Sequence, residues 1–336
     1  HWNPRCQPPW GADETDHLRA KVENAYAYNT SPPGNLTPAY HTARTSKLFQ
    51  AVRADIPEGD ETRVAGFRIA DRDALDHVRP PDWLIFDFIP DESYVMLFGA
   101  YSTFKTFLAL DVALTLACEY ETTTTLWTVS EGAQGPVLFM AGEGRSSIAK
   151  RVMAWEQQHN NGEKVSDFVL VDPVPLINIT EEYLAALVDD LLRRHPEGYR
   201  LAVLDTLGRS MAGENENEQK GASQFTLLVQ RLKAELGGSV LVLHHSGHAE
   251  SDRARGSSVF GADPDTLVRI DREGKSHVVK LSMTKQKDAP EWPKPKYAGV
   301  REVALAGDGG NTLVVTKAKA VDLPKVENVT SVDLVL

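Results

Sequence analysis

The polarity pattern changes twice along this chain. Up to about residue 90 the apolar positions keep no sustained period: Pro-Pro pairs stand at 8-9, 32-33 and 80-81, NTSPPGNLTP reads as a polar linker, and only Asp16 to Tyr28 has a helical repeat. That region reads as an appendage. From Tyr94 the short apolar runs YVMLFG, GPVLFMAGE, DFVLVD, RLAVLD and SVLVLHH alternate with helical patterns at about 104–118, 145–160, 181–194 and 222–236. Short apolar strands separated by helices predict an α/β fold, a mostly parallel twisted sheet flanked by helices, with ligands at the carboxyl ends of the strands. After residue 264 the segments TLVRIDREG, HVVKLSMTKQKD, REVALAG and NTLVVTKA take a period of two between turn residues, which predicts antiparallel strands extending the sheet toward the C-terminus.

Bulk properties narrow the class. A chain of 336 residues with 42% apolar content can fill a large core, and no apolar run reaches the roughly 18 residues of a membrane helix, so no membrane association is expected. The start, HWNPRCQPPW, has no basic flank followed by an apolar stretch and no initiator methionine, so it reads as a fragment without a signal peptide. Cys6 and Cys118 make no disulfide framework, which points to a reducing cytoplasm. A net charge of −11 argues against a protein that coats nucleic acid with its whole surface, but leaves room for binding through a few basic loops.

Candidate chemistry begins at LFGAYSTFKTFLALD, Leu97 to Asp111, where Gly99 and Lys105-Thr106 stand at the spacing of a phosphate-binding loop, G-x-x-x-x-G-K-[ST]. Phe104 replaces the second glycine, a departure because glycine allows close approach and unusual dihedrals. In such a strand-loop-helix the backbone of Gly99, Ala100, Tyr101, Ser102, Thr103 and Phe104 cradles phosphate oxygens, Lys105 neutralises the outer phosphates, and the Thr106 hydroxyl ligates magnesium. The bland alternative is a chance match at a helix start. Two further strands end in acids, Glu143 and Asp205. A glutamate there can polarise an attacking water and an aspartate can hold magnesium; their ordinary readings are a solvated loop acid and a helix cap. The next strand ends in LHHSGH. His244, His245 and His248 lack the partners that specify a zinc site, and a polar strand-end residue could instead report on the γ-phosphate. His245 is the better placed, with His244 facing the other side of the sheet.

In order, LFGAYSTFKTFLALD, GPVLFMAGEGRSSIAKRVMAWEQ, LAVLDTLGRSMAGENEN, VLVLHHSGH, ARGSSVFGADPD and MTKQKDAPEW resemble the RecA-fold hexameric replicative helicases of the plasmid RepA type, closest to the helicase part of bacteriophage primase-helicases. The resemblance covers about residues 84–316, and in that family a Phe or Tyr before the loop lysine is an accepted variant. It implies ATP and Mg2+ as cofactors, Lys105 and Thr106 on phosphates and magnesium, Glu143 as catalytic carboxylate, Asp205 as the Walker B acid and magnesium ligand, and His245 as phosphate sensor. Lys285 and Lys287 of TKQK match a K-x-K pair that RecA-like proteins insert into a neighbouring subunit's site. Alternate strand residues do point the same way, although a solvated strand edge would look alike. The resemblance further implies a homo-oligomeric ring, of six subunits, around single-stranded DNA.

The same resemblance assigns DNA contacts to loops at about 208–223 and 246–256. The first carries Arg209 and Lys220 amid Glu214, Glu216 and Glu218, an acidic run that repels phosphate; the second offers Arg253 and Arg255 among small residues. WNPRCQPPWGADETDHLRAKVENAYAY resembles the tail of a primase part, giving a division into 1–35 (primase-like tail), 36–83 (linker), 84–316 (ATPase) and 317–336 (C-terminal linker). Trp155 reads as core packing rather than an adenine contact. The competing readings are a RecA-type DNA-dependent ATPase that does not unwind, a P-loop small-molecule kinase, and a non-catalytic nucleotide-binding scaffold.

Overall fold

The computed structural model describes residues 62–64, 67–69, 72, 82–119, 126–142, 144–172, 175–246, 254–305 and 310–322. The helical pattern at 16–28, the Pro-rich linker, Cys6, Glu143, His248 and Arg253 lie outside the described residues. The chain divides into two compact units, His1–Arg79 and Pro80–Leu336. In the first, strands β1 (Thr62–Val64) and β2 (Phe67–Ile69) form an antiparallel hairpin.

The second unit opens with a small hairpin, β3 (Trp83–Ile85) and β4 (Ile89–Pro90). Leu84, Ile85, Phe88 and Ile89 are buried in the main core, so the core begins earlier than the change of pattern at Tyr94 suggests. There follow β5 (Tyr94–Gly99), α1 (Lys105–Ala117), β6 (Val137–Met140), α2 (Arg145–His159), β7 (Phe168–Val171), α3 (Glu181–Arg194), β8 (Leu201–Asp205), the short α4 (Leu207–Ser210), α5 (Gln219–Leu236), β9 (Ser239–His245), the short α6 (Val259–Ala262) and strands β10 (Thr266–Arg272), β11 (Val278–Gln286), β12 (Lys296–Ala304) and β13 (Asn311–Lys317).

These strands build one nine-stranded sheet in the order β13-β12-β11-β10-β5-β9-β8-β6-β7. Every pairing from β10 across to β7 is parallel, and β10 to β13 pair antiparallel. The fold is therefore the expected α/β architecture, a mostly parallel sheet flanked by helices with an antiparallel extension. Helices cover both faces of the parallel part, which is why its strands read as unbroken apolar runs. Val95, Leu97, Leu241 and Leu243 face α1, while Tyr94, Met96, Val240 and Val242 face α3 and α5. On β11 one face is covered, with Val279, Leu281 and Met283 buried, and the alternation visible in the sequence results.

Helix boundaries lie within about three residues of the periodicity. The largest difference is α5, which starts at Gln219 instead of 222 because Gly221 and Ala222 are already buried against the preceding turn. Strand β12 begins at Lys296, five residues ahead of REVALAG. Gly299 hides the earlier part: its bare Cα lets Thr316 Oγ1 approach to 2.9 Å of the place a Cβ would take.

Helix α1 is apolar all round and is buried from Leu108 to Ala117, as a helix enclosed by sheet, α2 and the C-terminal strands must be. Its exception is Asp111. Trp155 of α2 donates its indole N–H to Asp111 Oδ1 at 2.8 Å, and the Trp127 indole nearby also favours the charged carboxylate. Trp155 is thus a core residue, as its sequence context suggests. Burial pushes the Asp111 carboxyl up to about 7, against the pull of the two indole donors. Below its ordinary value near 3.8 the group is protonated folded and unfolded; between there and about 7 only the unfolded chain ionises freely. Stability is therefore expected to fall as pH rises from about 4 to about 7, and to level off above. Urea midpoints measured across that range should decline in the wild type and stay flatter in D111N; parallel curves would mean that Asp111 is not the source.

Candidate active site

Three neighbouring strands end together. In the parallel ladder Gly99 of β5 lies opposite His245 of β9, and Asp205 of β8 lies opposite Leu243. The register brings the loop after β5, the acid after β8 and the histidine after β9 to the carboxyl edge of the sheet, where helix N-termini also gather.

Gly99 has no room for a side chain, since a Cβ would sit 2.4 Å from the Ile270 carbonyl oxygen of β10. The loop that follows turns through two left-handed residues, Ser102 (φ 60°) and Phe104 (φ 61°, ψ 23°). Phe104 stands where the loop pattern has glycine, and its dihedrals are those glycine would supply. No side chain caps α1, and no acidic residue lies in its first turn. Such an end, together with alternating backbone handedness in the loop, forms a concave set of N–H groups suited to an anion.

Lys105 is buried, and its ammonium occupies the centre of this loop. It donates to the Gly99 carbonyl at 2.9 Å, the Ala100 carbonyl at 2.7 Å and Thr103 Oγ1 at 3.3 Å, while Thr103 Oγ1 donates to Ala100 O at 2.9 Å. Burial pushes Lys105 down to about 8, and the Asp205 carboxylate partly offsets this. Asp205 is buried at the end of β8, and Gly142 packs so closely that a Cβ there would lie 2.4 Å from the Asp205 carbonyl oxygen. The peptide bond from Asp205 to Thr206 is cis. Thr106, the second residue of α1, is half-buried beside Lys105. The oxygens of Thr106 and Asp205 are the hard donors a magnesium ion takes, so the residues present suit that ion.

His245 is half-buried, and burial followed by the charge of Lys105 pushes it down to about 4. The imidazole is therefore neutral near pH 7. Its ring stacks on Tyr101 of the loop, centroids 4.0 Å apart at 23°, and its Nδ1 is buried with no hydrogen-bond partner. His244 faces the other side of the sheet, where its Nε2 meets the Arg255 carbonyl at 2.7 Å. No metal cluster of three or more His, Cys, Asp or Glu occurs among the described residues.

Of the basic residues assigned to DNA, Arg209 near the end of α4 and Lys220 at the start of α5 are exposed. Arg255 is ion-paired with Glu216 at 2.7 Å, so one member of the acidic run serves to fix an arginine. The loops after β8 and β9 are joined there, and the Ser257 N–H also donates to the Glu216 carbonyl at 3.0 Å. The second loop is tied to the phosphate loop as well: Ser246 N–H donates to Gly99 O at 3.0 Å, and Ser246 forms a bridge with Ala254.

Lys285 and Lys287 are not brought to this edge. Lys285 lies level with Leu267, which lies level with Met96, three residues before Gly99 on β5. At about 3.3 Å per residue that is roughly 10 Å toward the opposite end of the sheet. Lys287 is farther still, its N–H donating to Asp265 O. Both ammonium groups hold the 261–265 segment, Lys285 on the Gly261 and Ala262 carbonyls and Lys287 on Asp263 O and Asp265 Oδ1.

One residue at the site escaped the sequence reading. Arg272, at the end of β10, donates to Ser102 O at 2.8 Å and places its guanidinium 4.2 Å above the Phe104 ring. The TLVRIDREG pattern marks it only as a strand-end cation; its neighbours follow from the pairing of Ile270 with Gly99.

A parallel sheet with a lysine-filled loop suited to an anion, a buried strand-end aspartate and helices on both faces is the arrangement of a P-loop ATPase domain. The chain belongs to the AAA domain family, whose sequence model matches residues 61–251. Among solved structures it is similar to the crystal structure of the RadB recombinase, at 17% identity and a TM-score of 0.45, over 68% of this chain and 91% of that one. No helix among the described residues is long and apolar enough to cross a membrane.

Because Lys105 must carry its proton to attract phosphate, affinity for a nucleoside triphosphate is expected to fall as pH is raised through about 8, approaching tenfold per pH unit. Titrations of a fluorescent ATP analogue between pH 7 and 9.5 measure this. A flat profile would show that Lys105 keeps its charge over the whole range.

Proposed function

We propose that this domain is an ATP-driven, ring-shaped DNA helicase or translocase of phage or plasmid replication, working as a hexamer with ATP at the subunit interfaces. The observation that carries the reading is the separation just described. Lys105, Asp205 and His245 share one edge of the sheet, while Lys285 and Lys287 lie toward the other end, out of reach of their own chain's loop. A lysine pair so placed can serve phosphoryl transfer only on a neighbouring molecule.

In this reading the loop from Gly99 to Phe104 and the N-terminus of α1 bind the phosphates, and Lys105 exchanges its carbonyl partners for the outer phosphates. Thr106 and Asp205 hold Mg2+, which when bound neutralises charge developing between the β and γ phosphates. Glu143 orients the attacking water. The neutral imidazole of His245, with Nδ1 lacking a partner, reports on the terminal phosphate. Arg209, Lys220, Arg253 and Arg255 contact the phosphates of single-stranded DNA weakly and in a salt-dependent way, and ring multivalency strengthens the whole. A primase region on the same polypeptide would be the natural companion of such a motor, and the setting is the bacterial cytoplasm.

ATP hydrolysis is expected to rise with single-stranded DNA and to climb steeply per chain with protein concentration. Activity indifferent to both would favour a phosphotransferase acting as a monomer. Unwinding of a fluorescent forked duplex separates a helicase from a RecA-like ATPase that only loads or remodels. K285A/K287A should lower kcat at least tenfold with little change in ATP affinity, and adding a K105A chain, whose own lysine pair is intact, should restore part of the activity. Reversing charge at Arg253 and Arg255 should abolish DNA stimulation and spare basal hydrolysis; loss of both would place these arginines at the ATP site instead.

A further inference from the structure

The phosphate loop contains an energetic contradiction. Phe104 holds left-handed dihedrals that an aromatic residue adopts only when its surroundings compel it, and Ser102 two residues earlier does the same. We propose that Arg272 is the residue that compels them: a positioning residue, reaching over from β10, that clamps the loop into the shape a glycine would otherwise provide.

The contacts fit that role on three sides. The guanidinium carbon lies 4.2 Å above the centre of the Phe104 ring, a cation–π geometry that fixes where the ring goes once the backbone has turned. The same guanidinium donates through Nη1 to the Ser102 carbonyl at 2.8 Å, so a single side chain grips both left-handed residues. Its Nε donates at 2.7 Å to the Ser276 carbonyl in the turn between β10 and β11, which anchors the group from behind. Phe107 meets the Phe104 ring edge-on, centroids 6.1 Å apart, and closes the remaining side.

The strand that carries Arg272 is itself in register with the loop. Ile270 pairs with Gly99, and its carbonyl is the wall that forbids a side chain there. Arg272 follows two residues later, so β10 shapes the loop twice, once by its backbone and once by a side chain. Lysine cannot replace it: a point charge could sit over the ring but could not also hold Ser102 and Ser276 from a planar fork.

This inference rests on the reading that the loop binds a nucleoside triphosphate, and its test separates the two. The proteins are the full chain, R272A, R272K, F104G and F104G/R272A; the probe is a fluorescent ATP analogue with Mg2+, and each protein is also melted without nucleotide. If Arg272 acts through Phe104, R272A weakens binding about tenfold, about 1.4 kcal/mol, in the wild-type background and clearly less in F104G, where glycine turns unaided and only the Ser102 contact is lost. R272K resembles R272A. The Tm follows the same pattern, with R272A lowering it by about 3 °C or more only while Phe104 is present. An equal loss in both backgrounds would mean that Arg272 touches the nucleotide directly or only supports the fold, and the clamp would be wrong; so would no loss in either. Failure of the wild type to bind the analogue would overturn the nucleotide reading, and the Tm cycle would still decide the clamp.

Discussion

A lysine ammonium buried at the end of a sheet is expensive to desolvate, and the upper edge of this domain is organised around holding one. Lys105 is satisfied by two carbonyls and a hydroxyl of its own loop, with the Asp205 carboxylate near enough to moderate the loss of solvent. The same loop takes left-handed dihedrals at Ser102 and Phe104, and Gly99 starts it against Ile270 with no space for a Cβ. The ammonium is thus held in an arrangement that a phosphate can displace: its partners are neutral oxygens, and an anion attracts it more strongly.

Gly99 is also the joint between that loop and the rest of the site. Its carbonyl accepts from Lys105 and from the Ser246 N–H, which begins the segment after β9. The segment returns at Ala254, and Arg255 ties it to Glu216 after β8. A change at the phosphate loop therefore has a continuous set of hydrogen bonds and one ion pair along which to reach both loops at this edge. Tyr101 stacked on His245 adds a second connection between the loop and β9. Below, α1 carries the loop on a helix enclosed on every side, pinned to α2 through Asp111 and Trp155, so the helix start is fixed relative to the sheet.

Much of this was legible beforehand. The unbroken apolar runs of β5, β6, β8 and β9 and the period-two pattern of β11 report how many faces of each strand are covered, which is a local property of composition. The spacing of Gly99 with Lys105 and Thr106 nominated a phosphate loop, and the strand, loop and helix stand where it placed them, because a strand-loop-helix of fixed length leaves little freedom for where a lysine can go. The acids and histidines at strand ends could be nominated for the same reason. Arg272 could not, since nothing local distinguishes it from Arg269 or any other strand cation; it became a site residue through the pairing of β10 with β5, elements separated by most of the domain.

By itself the sequence determined the element types, the alternation of strand and helix, and the loop chemistry, because these depend on periodicities of two and 3.6 residues and on short motifs. The tertiary structure alone decided which ends meet: that His245 lies opposite Gly99, that Arg255 is bound to Glu216, that Lys285 and Lys287 lie toward the end of the sheet away from Lys105, and that Phe104 is held under Arg272. The physical reason is register. Strand order and pairing offset arise from packing between segments distant in the chain, and a slip of a single residue would carry strand side chains such as His245, Lys285 and Arg272 to the opposite face.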